Sequence, residues 1–453
     1  MLKLIIKQTK WGVFGAIFAF VIGFFVKIYL IDIVGLESWG KYVIAQTFAS
    51  FSETILSLGI PFIIIKFFPS FIEENQAKAS RIATIFLKYA LIVGIGYAVL
   101  IYFLSNYINH FVYSDINGLS LLLCVVCVHV PISMLFGVII SLYRSKLKIK
   151  EIVVYGTVVN VIVRAILTFI IFQFTNDILY FIILEIFTQI LVLFIMLYLF
   201  NKNEFKIILK SNYKEVINDT KMIDYGKKMF YNSVVSFIAS QGLSIIIAIK
   251  LTSSDVGAYN ILLTLTGLTT FLLLNLNKVF APAISKLHSE KSFIELNILY
   301  KKTTFLFNLF AIPLAVIIAI FSDEILGLYT FEMLVYKKYL FYMLVGGILN
   351  LAAGSSGTFM LMAGLEKQNL KIQLIRALLL IFLSLLFIPI IGLLSVVGLY
   401  VISNLFVNGA QVIYIAKYLK ISPFSKELFF IFGLTILAMY FAINQEFVFQ
   451  IFH

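Results

Sequence analysis

Long apolar runs, each near the length needed to cross a bilayer, follow one another from end to end of this chain, separated by short polar breaks. About 20 helical residues cover the roughly 30 Å of a hydrocarbon core. On that measure the runs mark thirteen candidate spans: 11–31, 41–65, 82–104, 118–142, 151–174, 178–200, 226–249, 256–280, 297–321, 339–363, 370–388, 395–416 and a shorter 427–443. Hydrocarbon offers the backbone no hydrogen-bond partner, so spanning segments are helices or strands of a closed barrel. Strict alternation of apolar and polar positions is absent, which leaves helices. The first run follows Lys3, Lys7 and Lys10 but exceeds a signal-peptide core of about 7–15 residues, and no small-residue cleavage site follows it. It reads as the first span of an all-α, polytopic membrane protein.

Composition agrees. Of 453 residues, 62% are hydrophobic and 13% charged, against about 45–50% and 25% in soluble chains. The formal charge of +13 would suit nucleic acid, but its placement does not: 27 of the 35 lysines and arginines fall at the N-terminus or in even-numbered loops and the span ends that adjoin them, and only four in odd-numbered loops and their adjoining span ends. Basic residues collect in cytoplasmic loops. The alternation therefore supports twelve spans before the last, places the N-terminus in the cytoplasm and makes anionic membrane lipids, not nucleic acid, the partner of the charge. The longest loop, 201–225, divides the chain into a first six-helix bundle, 1–200, and a second, 226–416, followed by a tail, 417–453, with the thirteenth span.

Two short patterns recur between the halves. Gly40 and Tyr42 after span one match Gly257 and Tyr259 after span seven, and Arg164 in span five matches Arg376 in span eleven with a slightly different offset. Parallel repeats of this kind place a substrate site near the midplane. Ionisable groups inside spans are costly and face cavities or one another. Lys27, Glu53, Lys88, Arg164, Glu185 and Arg376 are of this kind. Lys88 lies near a span end, where its stem can carry the charge to water. Glu53 shares a helical face with Gln46, Ser50 and Ser57, and span seven carries Ser233, Ser236, Ser240 and Ser244 beside Gln241. These two faces suggest a wet cavity, to which Asn260 in span eight belongs. The small-residue stripes of spans one and ten suit close helix packing. Cys124 and Cys127 have only His129 nearby, too few ligands for a metal site, and no cofactor is implied. There is no P-loop, no HExxH and no acidic pair in an outer loop next to a basic cluster, so an enzyme is not expected.

Several stretches, taken in order, resemble the oligosaccharide (O-antigen type) flippases of the multidrug/oligosaccharidyl-lipid/polysaccharide exporter superfamily. They are VGLESWGKY and SLGIPFII in the first half, then DVGAYNILLTLTGL, NKVFAPAISKLH, FAIPLAV, GGILNLAAGSSGTFMLMAGLEKQN, LFIPIIGLLSVVGLYVISN and KISP. One position departs: the family often has an arginine three residues before the first-loop glycine, here Gly35, and this chain has Asp32, with Lys27 five residues earlier in another turn. The resemblance implies two six-helix bundles around a central cavity in the inner (cytoplasmic) membrane. It implies transport of a polyprenyl-pyrophosphate-linked oligosaccharide for O-antigen or capsule synthesis, alongside a polysaccharide polymerase and chain-length proteins. Within it, Lys27, Arg164, Arg376, Ser240, Gln241 and Asn260 are the expected substrate contacts, and Glu53 and Glu185 the expected ion-coupling groups. A peptidoglycan-precursor flippase and a drug/cation antiporter share the fold, and the intramembrane cations count against the antiporter. A membrane glycosyltransferase or polymerase would be expected to carry a larger outer loop.

Overall fold

The computed structural model describes residues 2–207, 220–428 and 430–433. These residues form helices and turns, with no strand among them. The first six expected spans are helix Leu2–Val34, the pair Leu36–Leu56 and Ile60–Glu74, then Gln76–Tyr113, Leu119–Ser145, Ile149–Ile171 and Ile178–Asn203. The second six are Thr220–Lys250, Ser253–Ser289, Phe293–Ile320, Phe331–Met362, Glu366–Ile391 and Leu393–Leu419. Ten are long and apolar enough to span on their own, the bent pair makes an eleventh, and the polar 37-residue helix Ser253–Ser289 completes the two sets. The expected thirteenth span, 427–443, passes out of the described residues after Gly433, as does 208–219 in the middle of the long loop. The chain separates into two compact units, Met1–Gln241 and Gly242–His453, and the division falls within the seventh helix.

Loop contacts inside each unit obey the alternation that the charges require. In the first unit Lys146 and Lys148, after span four, reach Glu204, after span six, at 3.3 and 3.0 Å. Ser80, before span three, donates to the Lys206 carbonyl at 2.7 Å. In the second, the Ser422 N–H after span twelve donates to Asn297 at the start of span nine, while Tyr336 and Asp255 meet between odd-numbered loops. The hydrogen bond from Lys148 to Glu204 holds the ammonium above its ordinary range. Its contribution is thus complete below the unfolded lysine's pKa and is lost only as pH rises through the folded one.

Many large apolar side chains are exposed, Phe103, Phe111 and Phe174 among them, as expected of surfaces that hydrocarbon covers. Between helices, small residues permit close approach. A Cβ on Gly94 would meet Pro131 at 2.6 Å, and one on Gly59 would meet the Gly226 carbonyl at 2.7 Å.

Two spans are interrupted. Span two bends by 44° where Leu58 and Gly59 take positive φ, and the helix restarts with Pro61 in its first turn, where its missing N–H costs nothing. Span ten breaks at Ala353–Ser355, around Gly354 with φ +58°. Protein groups take up the backbone freed there: Tyr300 donates to the Ala353 carbonyl and Asn308 to that of Leu351, both at 2.8 Å. Gly354 has no substitute, because a Cβ would lie 2.1 Å from Thr304 Oγ1.

Gly354→Ala is therefore expected to lower the thermal midpoint of the purified protein, through a cost of about 2–4 kcal/mol from the left-handed backbone and the overlap together. Thr304 Oγ1 is buried without a hydrogen-bond partner, so adding Thr304→Ala should restore part of the loss. A midpoint unchanged in Gly354→Ala would mean the break relaxes freely.

Candidate functional site

In the first unit the expected site residues fall into two polar groups. One joins spans one, two, five and six. Arg164 Nη1 lies 2.7 Å from Glu185 Oε1, and Tyr42 donates to Glu185 Oε2 at 2.8 Å. The Tyr42 ring packs 4.9 Å from Trp39, and Lys27 Nζ stands over Trp39 at 5.3 Å from its centroid. Lys27, Arg164 and Glu185 thus belong to one cluster, with Trp39, Tyr42 and Phe181 as its aromatic walls. Arg164 is 30% exposed and Glu185 11%. An ion pair this enclosed carries a desolvation cost that only good geometry offsets, and removing one partner leaves a stranded charge. The Tyr42 bond supplies the geometry on the carboxylate side. The span that holds Arg164 opens with π-type turns over Ile152–Val159, a local widening found often near functional positions.

The other group joins spans two, three, four and six. Glu53 Oε2 accepts from Ser133 Oγ at 2.7 Å, and His129 lies within electrostatic reach of the same carboxylate. His129 bonds Gln189, and Ser52 bonds Tyr97. Cys124 Sγ faces Ser105 Oγ at 3.1 Å. The two acidic candidates therefore have different companions: Glu185 meets an arginine and a tyrosine, Glu53 a serine and a histidine. On span seven, Ser240 and Gln241 are exposed, and the Ser240 hydroxyl donates to the Phe237 carbonyl. Asn260 is half-buried, its carbonyl accepting from Thr264.

In the second unit Arg376 stands among Tyr259, Tyr400 and a cleft of about 90 Å³ between spans eleven and twelve. Apart from it runs a buried ladder of amides and hydroxyls beside the break in span ten. Asn408 donates to Asn350, Ser356 to both Asn408 and Gln411, and Gln411 to Asn369, over 2.6–3.1 Å. The stripe of span ten, which includes Asn350, suited packing alone, and Ser356, Asn369, Asn408 and Gln411 were not expected. The spacing of Asn404, Asn408 and Gln411 on one face of span twelve was the available signal. Among the described residues no group of three or more His, Cys, Asp or Glu could hold a metal.

The family model described as "Polysaccharide biosynthesis protein" matches residues 32–331. No curated protein matches the sequence. Among solved structures the chain is similar to an inward-facing multidrug resistance MATE family transporter of the MOP superfamily, with TM-score 0.73 and 14% identity over 91% of this chain and 94% of that one. It is similar to the lipid II flippase MurJ in an inward closed conformation, with TM-score 0.67 and 16% identity over 98% and 100%. A MOP superfamily transporter from Pyrococcus furiosus gives TM-score 0.63 and 15% identity over 92% and 96%. At these identities the likeness establishes the fold, and the chemistry has to be argued from this chain's own side chains.

The Arg164–Glu185 pair makes a measurable claim. Glu185→Gln should lower the thermal midpoint by the equivalent of about 1–3 kcal/mol, because it leaves Arg164 uncompensated. The double substitution Arg164→Gln, Glu185→Gln should be more stable than Glu185→Gln alone. Additive losses in that double-mutant cycle would show that the two groups are not coupled.

Proposed function

Because this chain belongs to the polysaccharide biosynthesis protein family, we propose that it flips a polyprenyl-pyrophosphate-linked oligosaccharide repeat unit from the inner to the outer face of the cytoplasmic membrane, by alternating access, for O-antigen or capsule synthesis. The observation that carries this reading is the family match over residues 32–331, on a fold shared with MOP superfamily transporters. The physical problem suits it. Each sugar hydroxyl left unpaired in hydrocarbon costs about 2–7 kcal/mol, whereas the prenyl tail can stay in lipid throughout. A carrier has only to offer the head group a polar path open to one side at a time. The basic loops support an N-terminus in the cytoplasm, the side on which the repeat unit would load in this reading.

Lys27 and Arg164 are assigned to the pyrophosphate, and Ser240, Gln241 and Asn260 to the sugar. Arg376, expected as a third substrate cation, is left out of this assignment, because its cleft offers one hydroxyl and no amide, a poor match to a sugar. The ion pair gives the first unit a means of coupling. An incoming phosphate would take the place of Glu185 on the Arg164 guanidinium, and departure of the phosphate would let the pair re-form. Glu53 is the second coupling group, exchanging its proton in a setting of Ser133 and His129. A peptidoglycan-precursor flippase is the second reading, favoured by the end-to-end likeness to the lipid II flippase. Both substrates carry a lipid pyrophosphate, so the cation assignments are common to the two.

Deleting the gene in its host should stop surface polysaccharide while lipid-linked repeat units accumulate inside. Loss of viability with accumulated peptidoglycan precursor would select the second reading. Arg164→Ala should abolish transport with normal membrane expression, and Arg164→Lys should keep part of it. Normal transport by Arg164→Ala would end its assignment to the pyrophosphate. Glu53→Gln should transport poorly and lose its dependence on pH; wild-type transport at every pH from mildly acid to mildly alkaline would leave Glu53 a lining residue.

A further inference from the structure

The repeat that relates Arg164 to Arg376 and Tyr42 to Tyr259 holds at both places in three dimensions, with one substitution. In the first unit the sixth span supplies Glu185, which neutralises Arg164. In the second unit the twelfth span supplies Tyr400, and Arg376 has Tyr259 and Tyr400 within electrostatic reach. No carboxylate pairs with Arg376 among the described residues, and its Nε is buried without a hydrogen-bond partner. A buried guanidinium nitrogen lacking an acceptor is costly, and the deficit is that of an anion.

The surroundings of Arg376 identify the kind of anion. The cleft of about 90 Å³ beside it is walled by Leu379, Leu380, Leu383, Leu399, Ile402 and Phe406. On the same measure one water needs roughly 10–15 Å³, so there is space for a phosphate-sized group or a stretch of chain. Leu379, Ile402 and Phe406 are exposed, and apolar exposure in such a chain faces hydrocarbon. The single hydroxyl of the wall, Ser403, donates to the Tyr400 carbonyl. Along span eleven the leucines extend about 10 Å beyond Arg376 at 1.5 Å per residue, away from Lys367 and Lys371 at the helix start. The cation thus lies toward the basic end and the apolar wall toward the membrane interior, in the order of a lipid head group and its chain.

We infer that this cleft holds one anionic phospholipid of the surrounding bilayer, its phosphate on Arg376 and an acyl chain along Leu379, Leu383 and Ile402. The lipid supplies the second unit with the negative charge that Glu185 supplies in the first. The site is independent of the transported substrate.

Native mass spectrometry of the intact chain released from nanodiscs of phosphatidylglycerol and phosphatidylcholine reads the occupancy. The wild type should retain one phosphatidylglycerol in preference to phosphatidylcholine. Arg376→Gln should reduce that retention about tenfold and Arg376→Lys less. Tyr400→Glu, which builds in the missing carboxylate, should also displace the lipid while leaving Arg376 in place, and Arg164→Gln should retain it as the wild type does. Equal retention by wild type and Tyr400→Glu would overturn the site, and that variant decides if Arg376→Gln fails to fold. Retention of added polyprenyl phosphate but not of phosphatidylglycerol would overturn the choice of a bilayer lipid.

Discussion

A backbone in hydrocarbon has no solvent to bond to, and this chain is organised by that constraint. Continuous helices meet it without help. The interruptions in spans two and ten do not, and what surrounds the second shows how the deficit is made good. Tyr300 and Asn308 reach the carbonyls at Ala353 and Leu351, while the ladder of Ser356, Asn408, Gln411 and Asn369 runs beside the break from side chain to side chain. A broken helix in a membrane is tolerated only where protein or a polar cavity covers it. The polar residues of the second unit are therefore not scattered through its core; several gather where backbone would otherwise be stranded.

The same accounting applied to charge separates the two units. Both retain an arginine in the fifth span of their set and a tyrosine at the start of the second. The first unit balances its arginine internally with Glu185, and Tyr42 holds the carboxylate in place. The second puts Tyr400 near its arginine instead. A phenol can accept a hydrogen bond but brings no charge. Duplicated halves that keep the cation and lose the counter-ion have different demands on their surroundings: one is closed electrostatically, the other requires an anion from outside the chain.

Much of this was legible in the sequence. Span lengths, their apolar runs and the alternation of basic loops gave twelve spans, and the contacts of Lys146 and Lys148 with Glu204 agree with that alternation. The Arg164–Glu185 pair could have been read from register. Arg164 lies seven residues before the end of its helix at Ile171, and Glu185 seven after the start of the next at Ile178. Antiparallel neighbours joined by a short loop place such positions at one depth. Glu53 offered no such guide, since Ser133 lies 80 residues away on span four, and contacts between spans distant in sequence depend on how helices rotate about their axes. Tyr42 was visible as a repeated residue but not as the group that holds Glu185, because a tyrosine's partner is set by packing and not by its own periodicity.

A multidrug resistance transporter and a lipid II flippase both superimpose on this chain over at least nine-tenths of its length, so the architecture alone does not discriminate between their kinds of substrate. The charges of the proposed site would. In the proposed site a cation would have to approach Lys27 and Arg164, and repulsion between like charges is strong where little water screens them. A pyrophosphate, if that is the cargo as proposed, would exchange its own charge for that of Glu185 on Arg164. The guanidinium then stays paired in both states, and the exchange costs far less than exposing it alone to a dry interior. Under the proposed function, the sign of these charges, one of them already paired with Glu185, is what would suit this common fold to a lipid pyrophosphate.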